Sequence, residues 1–264
     1  MNMETVHRMI GVARGNMCYQ FEEGNDDLLF LIHGIGCNKD SFKSIWDAEE
    51  FEGMSVIAVD LMGYGESDAP EEFSYDMKDQ AACCLELLKE FKHSKVHIVA
   101  HSMGGAVGVL LAEMLELEGD RLSTLVSVEG NLIAEDCGLI SRKIIGMSFE
   151  YFRNRHYAYL KRSSKNSKDI GVLEWSRELE QASPRAFYNT ALALVKWSDS
   201  GELIAKFKNI NATKYYIYGA KTDGLEVLQR LGAIETKCVE GAGHFVMIEN
   251  PLAFAVVLAR IINK

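Results

Sequence analysis

The stretch KVHIVAHSMGG, Lys95 to Gly105, decides the fold. Val96 to Ala100 is an apolar run of strand type, too short for a buried helix. It enters a tight turn at His101-Ser102-Met103, two glycines follow, and Ala106 to Leu117 reads as a helix. A serine at such a turn is held beyond the end of the sheet with its hydroxyl exposed. The N–H after it, on Met103, opens the helix and faces the place where negative charge would develop. Strand and helix backbones nearly touch there, so the serine's flanks must be small, and Ala100 and Gly104 meet that need. The plainer alternative is a serine that only caps the helix, and the remainder of the chain weighs against it.

A chain of 264 residues is long enough for one large α/β domain or a core with an inserted lid. Apolar content of 48% with 25% charged residues fits an ordinary globular protein. A net charge of -10 argues against a nucleic-acid partner. The six cysteines (Cys18, Cys37, Cys83, Cys84, Cys137, Cys238) show no C-x-x-C spacing and no metal-ligand pattern with histidine. Reduced structural thiols, no metal and no cofactor are therefore expected. No apolar run reaches the length of a bilayer span and no leader of charged-then-apolar type precedes the first strand, so a cytoplasmic location is expected.

Upstream, residues from Thr5 to Phe21 read as two strands broken at Gly15-Asn16, a ribbon at the sheet edge. LLFLIHGIG, Leu28 to Gly36, is a strand covered on both faces that ends in a glycine turn. The N–H of Ile35 in that turn is the expected partner of the Met103 N–H in an oxyanion hole. Asn38 to Glu50 reads as a helix, Met54 to Asp60 as a strand, and the turn DLMGYGESD, Asp60 to Asp68, follows. HG-x-G after one strand, D-x-x-G-x-G-x-S-D after the next and HSMGG after a third together resemble the α/β-hydrolase superfamily. The resemblance implies a mostly parallel central sheet with helices on both faces. It also implies a structural role for the aspartate turn, so no chemistry is assigned to Asp60 or Asp68.

Downstream, Tyr75 to Lys92 is an amphipathic helix and Leu122 to Val128 a strand closing on Glu129-Gly130-Asn131. From 132 to 212 the strand signal disappears, and helices are expected over Leu139–Asn154, Glu174–Gln181 and Pro184–Trp197. This insertion resembles the helical lid of many α/β-hydrolases, which divides the chain into a core of 1–131 with 213–264 and a lid of 132–212. Met147, Phe149, Tyr151, Phe152, Trp175, Phe187 and Trp197 either line an acyl or aryl pocket beneath it or join its helices to one another. Lys214 to Gly219 restores a strand, Gly224 to Leu231 is a short helix, and Ile234 to Val239 is the last strand. The loop Glu240 to His244 and a helix closing at Ile262 complete the chain.

A serine hydroxyl is a weak nucleophile until a base stands within hydrogen-bond reach. His244, on a loop of small residues after a strand, is the candidate base for Ser102, and serine before histidine is the order of the family it resembles. His101 reads as structural and His33 as a support of the glycine turn. The third member, an acid, is open between two residues. The resemblance places it three residues after Gly219, where Thr222 stands, and Thr222 has no carboxyl to offer; Asp223 is one residue late. Glu129, closing a buried strand, matches the site used by some relatives, and the reading leans to it. Serine in place of an aspartate implies acyl transfer: a serine carboxylesterase or lipase-like hydrolase taking a small-molecule acyl substrate with an apolar acyl or aryl part. Thioester cleavage, acyl transfer, carbon–carbon cleavage and a non-hydrolytic small-ligand receptor are the alternatives. The oligomeric state is not legible. Between Tyr151 and Lys168 stand six cations and no acid, read as a solvated surface or as a rim that steers anionic substrates.

Overall fold

The computed structural model describes residues 4–264 except 120 and 223. Eight strands form one sheet: β1 (Glu4–Ile10), β2 (Gly15–Glu22), β3 (Asp27–Ile32), β4 (Ser55–Val59), β5 (Lys95–His101), β6 (Leu122–Val128), β7 (Thr213–Gly219) and β8 (Glu235–Val239). Their order is β1-β2-β4-β3-β5-β6-β7-β8, antiparallel at β1–β2 and β2–β4 and parallel throughout the rest. Strands β3 to β6 are almost wholly buried because helices cover both faces, which is why they read as unbroken apolar runs. One apolar cluster on one face gathers the helices Met77–Leu88 and Met103–Leu117. A second on the other face is built around the closing helix Pro251–Ile262. The chain order reverses between β3 and β5, so their carboxyl ends open a crevice of the kind where open α/β sheets place ligands.

Four local expectations are corrected. The ribbon breaks over residues 11–14, where Arg14 has φ 53°, while Gly15 and Asn16 already belong to β2. Gly15 is required by packing, since a Cβ there would lie 2.9 Å from Pro70. The segment Asn38–Glu50 is not one helix but short turns over Lys39–Phe42, Lys43–Trp46 and Glu49–Phe51. The expected helix Leu139–Asn154 stops after Ser141–Ile144, because Gly146 takes φ 87°. The chain restarts when the Ser148 hydroxyl accepts the Tyr151 N–H, and continues through a wider-pitched turn at Phe152–His156 into the helix Tyr157–Lys165. The helix expected from Glu174 begins at Ile170, capped by the Asp169 carboxylate on the Val172 N–H. Between β6 and β7 every regular element is helical, the longest being Pro184–Ser200.

The aspartate turn carries the structural role the resemblance implied. Asp60, wholly buried, accepts from the Lys39 N–H (2.7 Å), the Lys39 ammonium (2.9 Å) and the Glu66 N–H (2.8 Å). It thereby joins the segment after β3 to the turn after β4. A buried carboxylate is tolerated when it is paired and hydrogen-bonded in this way.

Ala100 stands where tight strand–helix packing favours glycine, and the helix makes room for it. A Cβ placed on Gly108 would lie 2.7 Å from the Ala100 Cβ, with its next neighbours at 3.4 and 3.7 Å. Gly108→Ala is therefore expected to destabilise by about 1–3 kcal/mol through overpacking, despite alanine's better helix propensity. Adding Ala100→Gly should recover that loss in urea unfolding. A double variant no more stable than Gly108→Ala alone would contradict this account of the elbow.

Candidate active site

Ser102 lies at the end of β5 with φ 53° and ψ −123°, a conformation that costs a non-glycine residue about 1–3 kcal/mol. Three backbone hydrogen bonds hold it there. Its N–H donates to the Val128 carbonyl (3.0 Å), and its own carbonyl accepts from Gly105 (2.8 Å) and Asn131 (3.0 Å). Gly104 has no room for a side chain, since a Cβ would lie 2.5 Å from the His33 carbonyl oxygen. The strain thus aims the Ser102 side chain at the crevice beside β3.

The loop after β8 brings His244 to this serine. Its Nε2 is 3.1 Å from Ser102 Oγ, and its Nδ1 is 3.4 Å from a carboxylate oxygen of Glu129. Glu129 follows β6 with φ 48°, and only 2% of its side chain is exposed. Its other oxygen accepts the Gly219 N–H at 2.9 Å and the Thr222 hydroxyl. Thr222 occupies the place where the resemblance expected an acid, and its hydroxyl donates instead to Glu129 at the end of the neighbouring strand. The rival candidate, Asp223, lies outside the described residues.

The turn after β3 is fixed by His33. Its Nδ1–H donates to the Gly34 carbonyl (2.7 Å), and its Nε2 accepts the Leu61 N–H (3.0 Å). A carbonyl only accepts and a backbone N–H only donates, so this pair dictates the tautomer. Burial lowers the His33 pKa to about 4, which keeps the ring neutral. With the Gly34 carbonyl held by His33 and by the Cys37 N–H, the trans peptide points the Ile35 N–H the other way. Gly34 packs against Ser102, where a Cβ would lie 3.0 Å from the serine Cβ. Neither the Ile35 nor the Met103 N–H meets an acceptor among the described residues.

Two polar residues of the site, Glu249 and Asn131, carried no signal that sequence reasoning used, while His101 has the structural place expected of it. The His101 ring lies 4.9 Å from that of His244, and its Nε2–H donates to the His244 carbonyl (2.9 Å). Burial, reinforced by His244, pushes its pKa well below the usual histidine range. Glu249 takes the N–H groups on both sides of the histidine, Gly243 at 2.9 Å and Phe245 at 3.2 Å, and pairs with Lys221 at 2.9 Å. Asn131, buried, presents its side-chain oxygen 3.4 Å from Ser102 Oγ. A carboxylate shortly after the histidine was the one available clue to Glu249.

Above Ser102 and His244 lies a cavity of about 280 Å³ whose apolar wall includes Leu139, Ile140, Val172, Leu194 and Phe245. Of the seven residues expected to line a pocket or join helices, Trp175 lines it, and its indole donates to the Ile35 carbonyl at 2.9 Å. The other six are absent from its lining; Phe152 stacks on Phe187, Phe149 packs on Tyr188, and Trp197 donates to Asp76. In the basic stretch, Lys161 and Lys165 pair with Glu180 at 2.5 and 2.7 Å. The charged groups on the cavity lining are Asp136, Asp169 and Glu249, which favours the reading of that stretch as surface. Among the described residues one group has metal-ligating chemistry: His7, Cys18 and Glu66, none of them on the lining of that cavity. Burial raises the Cys18 thiol to about 12, and the Lys39 ammonium lies 3.4 Å from Glu66, so the group does not favour a cation. All six cysteines are unbridged, and no helix among the described residues is long and apolar enough to cross a membrane.

The sequence pattern of the alpha/beta hydrolase family matches residues 29–257, and the chain belongs to that family. It is 38% identical over 108 residues to Lipase 1 of Psychrobacter immobilis, covering 40% of this chain and 33% of the lipase. It is 26% identical over 267 residues to an uncharacterized protein of Mycobacterium tuberculosis, covering 91% of this chain and 76% of that protein. The chain thus matches about a third of the lipase's length. Among solved structures, an esterase from Exiguobacterium antarcticum superposes with a TM-score of 0.80 at 18% identity, over 99% of this chain and 100% of the esterase. The N-acyl homoserine lactonase AidH, as an E219G mutant complexed with N-hexanoyl homoserine, gives 0.77 at 19%, over 99% and 97%. At such identities the likeness is one of fold.

Glu178 ties the helical segment to the core beside the Ile35 turn. Only 8% exposed, it accepts from the Ser41 hydroxyl (2.7 Å) and the Asn38 N–H (3.4 Å). Burial raises its pKa from 4.5 to about 7, against the opposing pull of those donors. The folded protein therefore holds this proton where the unfolded chain has released it. Its contribution is fully present below pH 4.5 and is lost as pH rises to about 7. Urea unfolding should show the stability of the wild type falling, relative to Glu178→Gln, across that window and levelling above it. A pH-independent difference would show that Glu178 is ionised in the fold throughout.

Proposed function

We propose that the protein is a serine hydrolase that cleaves carboxylic esters with an apolar acyl or aryl part through an acyl-enzyme. The observation that carries this reading is the chain of contacts from Ser102 Oγ through His244 to Glu129 on the floor of an apolar cavity. Ser102 attacks the ester carbonyl as His244 Nε2 takes its proton, and Glu129 stabilises the imidazolium that forms. The N–H groups of Ile35 and Met103 receive the oxyanion. His244 then returns the proton to the leaving alcohol, and water repeats the sequence on the acyl-enzyme. The helical segment 132–212 acts as the lid whose apolar residues select the acyl part. The partial match to a lipase supports ester substrates.

A fluorophosphonate probe should label the wild type and leave Ser102→Ala unlabelled; equal labelling would end the proposal. His244→Ala should lower kcat on a nitrophenyl ester by about 10⁴-fold or more. Glu129→Gln should reduce kcat/KM by about 10²-fold or more while remaining folded. A loss below about tenfold, roughly 1.4 kcal/mol, would remove Glu129 from the role.

A further inference from the structure

We infer that Asn131 makes the site prefer water over alcohols as the second nucleophile, so that it hydrolyses acyl groups and does not transfer them. The inference deepens the ester-hydrolase reading and rests on it.

Asn131 is 5% exposed, lines the cavity, and is locked in orientation. Its Nδ2 donates to the Asp136 carbonyl at 2.7 Å, and its backbone N–H to the Ser102 carbonyl at 3.0 Å. A backbone carbonyl cannot donate, so the amide nitrogen must face Asp136 and the amide oxygen must face Ser102. That oxygen is a fixed acceptor 3.4 Å from Ser102 Oγ, while His244 Nε2 stands 3.1 Å from the same atom. The side-chain oxygen of Asn131 has no donor among the described residues other than the serine hydroxyl.

Acylation replaces the hydroxyl hydrogen of Ser102 with an acyl carbon. The one hydroxyl hydrogen, open until then to either His244 Nε2 or Asn131 Oδ1, is gone, so the buried oxygen of Asn131 faces an ester oxygen with no donor in reach, a condition that costs free energy until one arrives. Water meets both demands at once. One of its protons passes to His244 Nε2 as its oxygen bonds to the acyl carbon, and the other stays on that oxygen and donates to Asn131 Oδ1. The bond from the acyl carbon to Oγ then breaks, and Oγ recovers the proton held by His244. An alcohol has one proton, which His244 takes, and it turns an alkyl group toward the acceptor. Asn131 therefore lowers the barrier for water and leaves that for alcohols higher.

The test uses a nitrophenyl acyl ester, followed from the first turnover, with and without added methanol, on the wild type, Asn131→Leu and Asn131→Asp. Both variants lose the donor to Asp136, but only leucine loses the acceptor. The inference expects Asn131→Leu to keep its burst rate within a few-fold and to release the acid about tenfold more slowly. Its share of methyl ester should rise by a similar factor, and Asn131→Asp should return that share toward the wild-type value. Burst and steady-state rates falling together, with the methyl ester share unchanged, would reduce Asn131 to a clamp on the serine and overturn the inference. A rise in transfer shared equally by both variants would do the same. A wild type that neither releases nitrophenol nor is acylated would overturn the hydrolase reading and this inference with it.

Discussion

The arrangement turns on one buried carboxylate. Glu129 ends β6 with a side chain that water scarcely reaches, and an ion so placed is stable only if its oxygens are satisfied. One oxygen is satisfied by the N–H that ends β7 and by the hydroxyl of Thr222, the other by the imidazole of His244. Three segments distant in sequence are drawn to the same corner of the sheet, and the histidine ring is left with its second nitrogen toward Ser102. In the proposed reaction the same carboxylate meets the imidazolium at the moment it forms, so the interaction that organises the corner also serves the chemistry.

Around that corner each group of the proposed reaction is held by a neighbour with no further task. His33 fixes the turn carrying the Ile35 N–H, and His101 and Glu249 fix the loop carrying His244. Buried neutral histidines used as braces explain why three imidazoles stand near Ser102 while only one faces its hydroxyl. The strain at Ser102 is supported in the same way, by backbone bonds to Val128, Gly105 and Asn131 and by glycines that let strand and helix approach. Such preorganisation is what a stabilised oxyanion needs, because donors already in place need no reorganisation during the reaction.

Much of this was legible in the sequence, and the reasons are physical. Strands buried on both faces leave short apolar runs, and strained turns leave glycines, so β3, β5 and the turns after them could be read directly. Ser102 followed because it sits on the turn after β5, and His244 because it sits on a loop of small residues after β8. The carboxylate partner of His244 was harder, since what distinguishes Glu129 is a set of donors contributed by Gly219 and Thr222 at and just past the end of another strand. The helical segment was read as helical but wrongly divided, because Gly146 and the caps at Ser148 and Asp169 set its boundaries more strongly than its apolar spacing. Asn131 gave no pattern and Glu249 only its place shortly after the histidine; their positions are fixed largely by contacts to backbone, which any sequence position can supply.

The central claim, that Glu129 holds His244 for proton transfer, is tested most directly by proton NMR of protein labelled with ¹⁵N-histidine at a pH where the ring is protonated. An Nδ1–H shared with a buried carboxylate resonates far downfield of the amide region. The account predicts such a signal on His244, retained in Asp223→Asn and lost or moved strongly upfield in Glu129→Gln. A signal that survives Glu129→Gln and vanishes in Asp223→Asn would contradict it and give the role to Asp223.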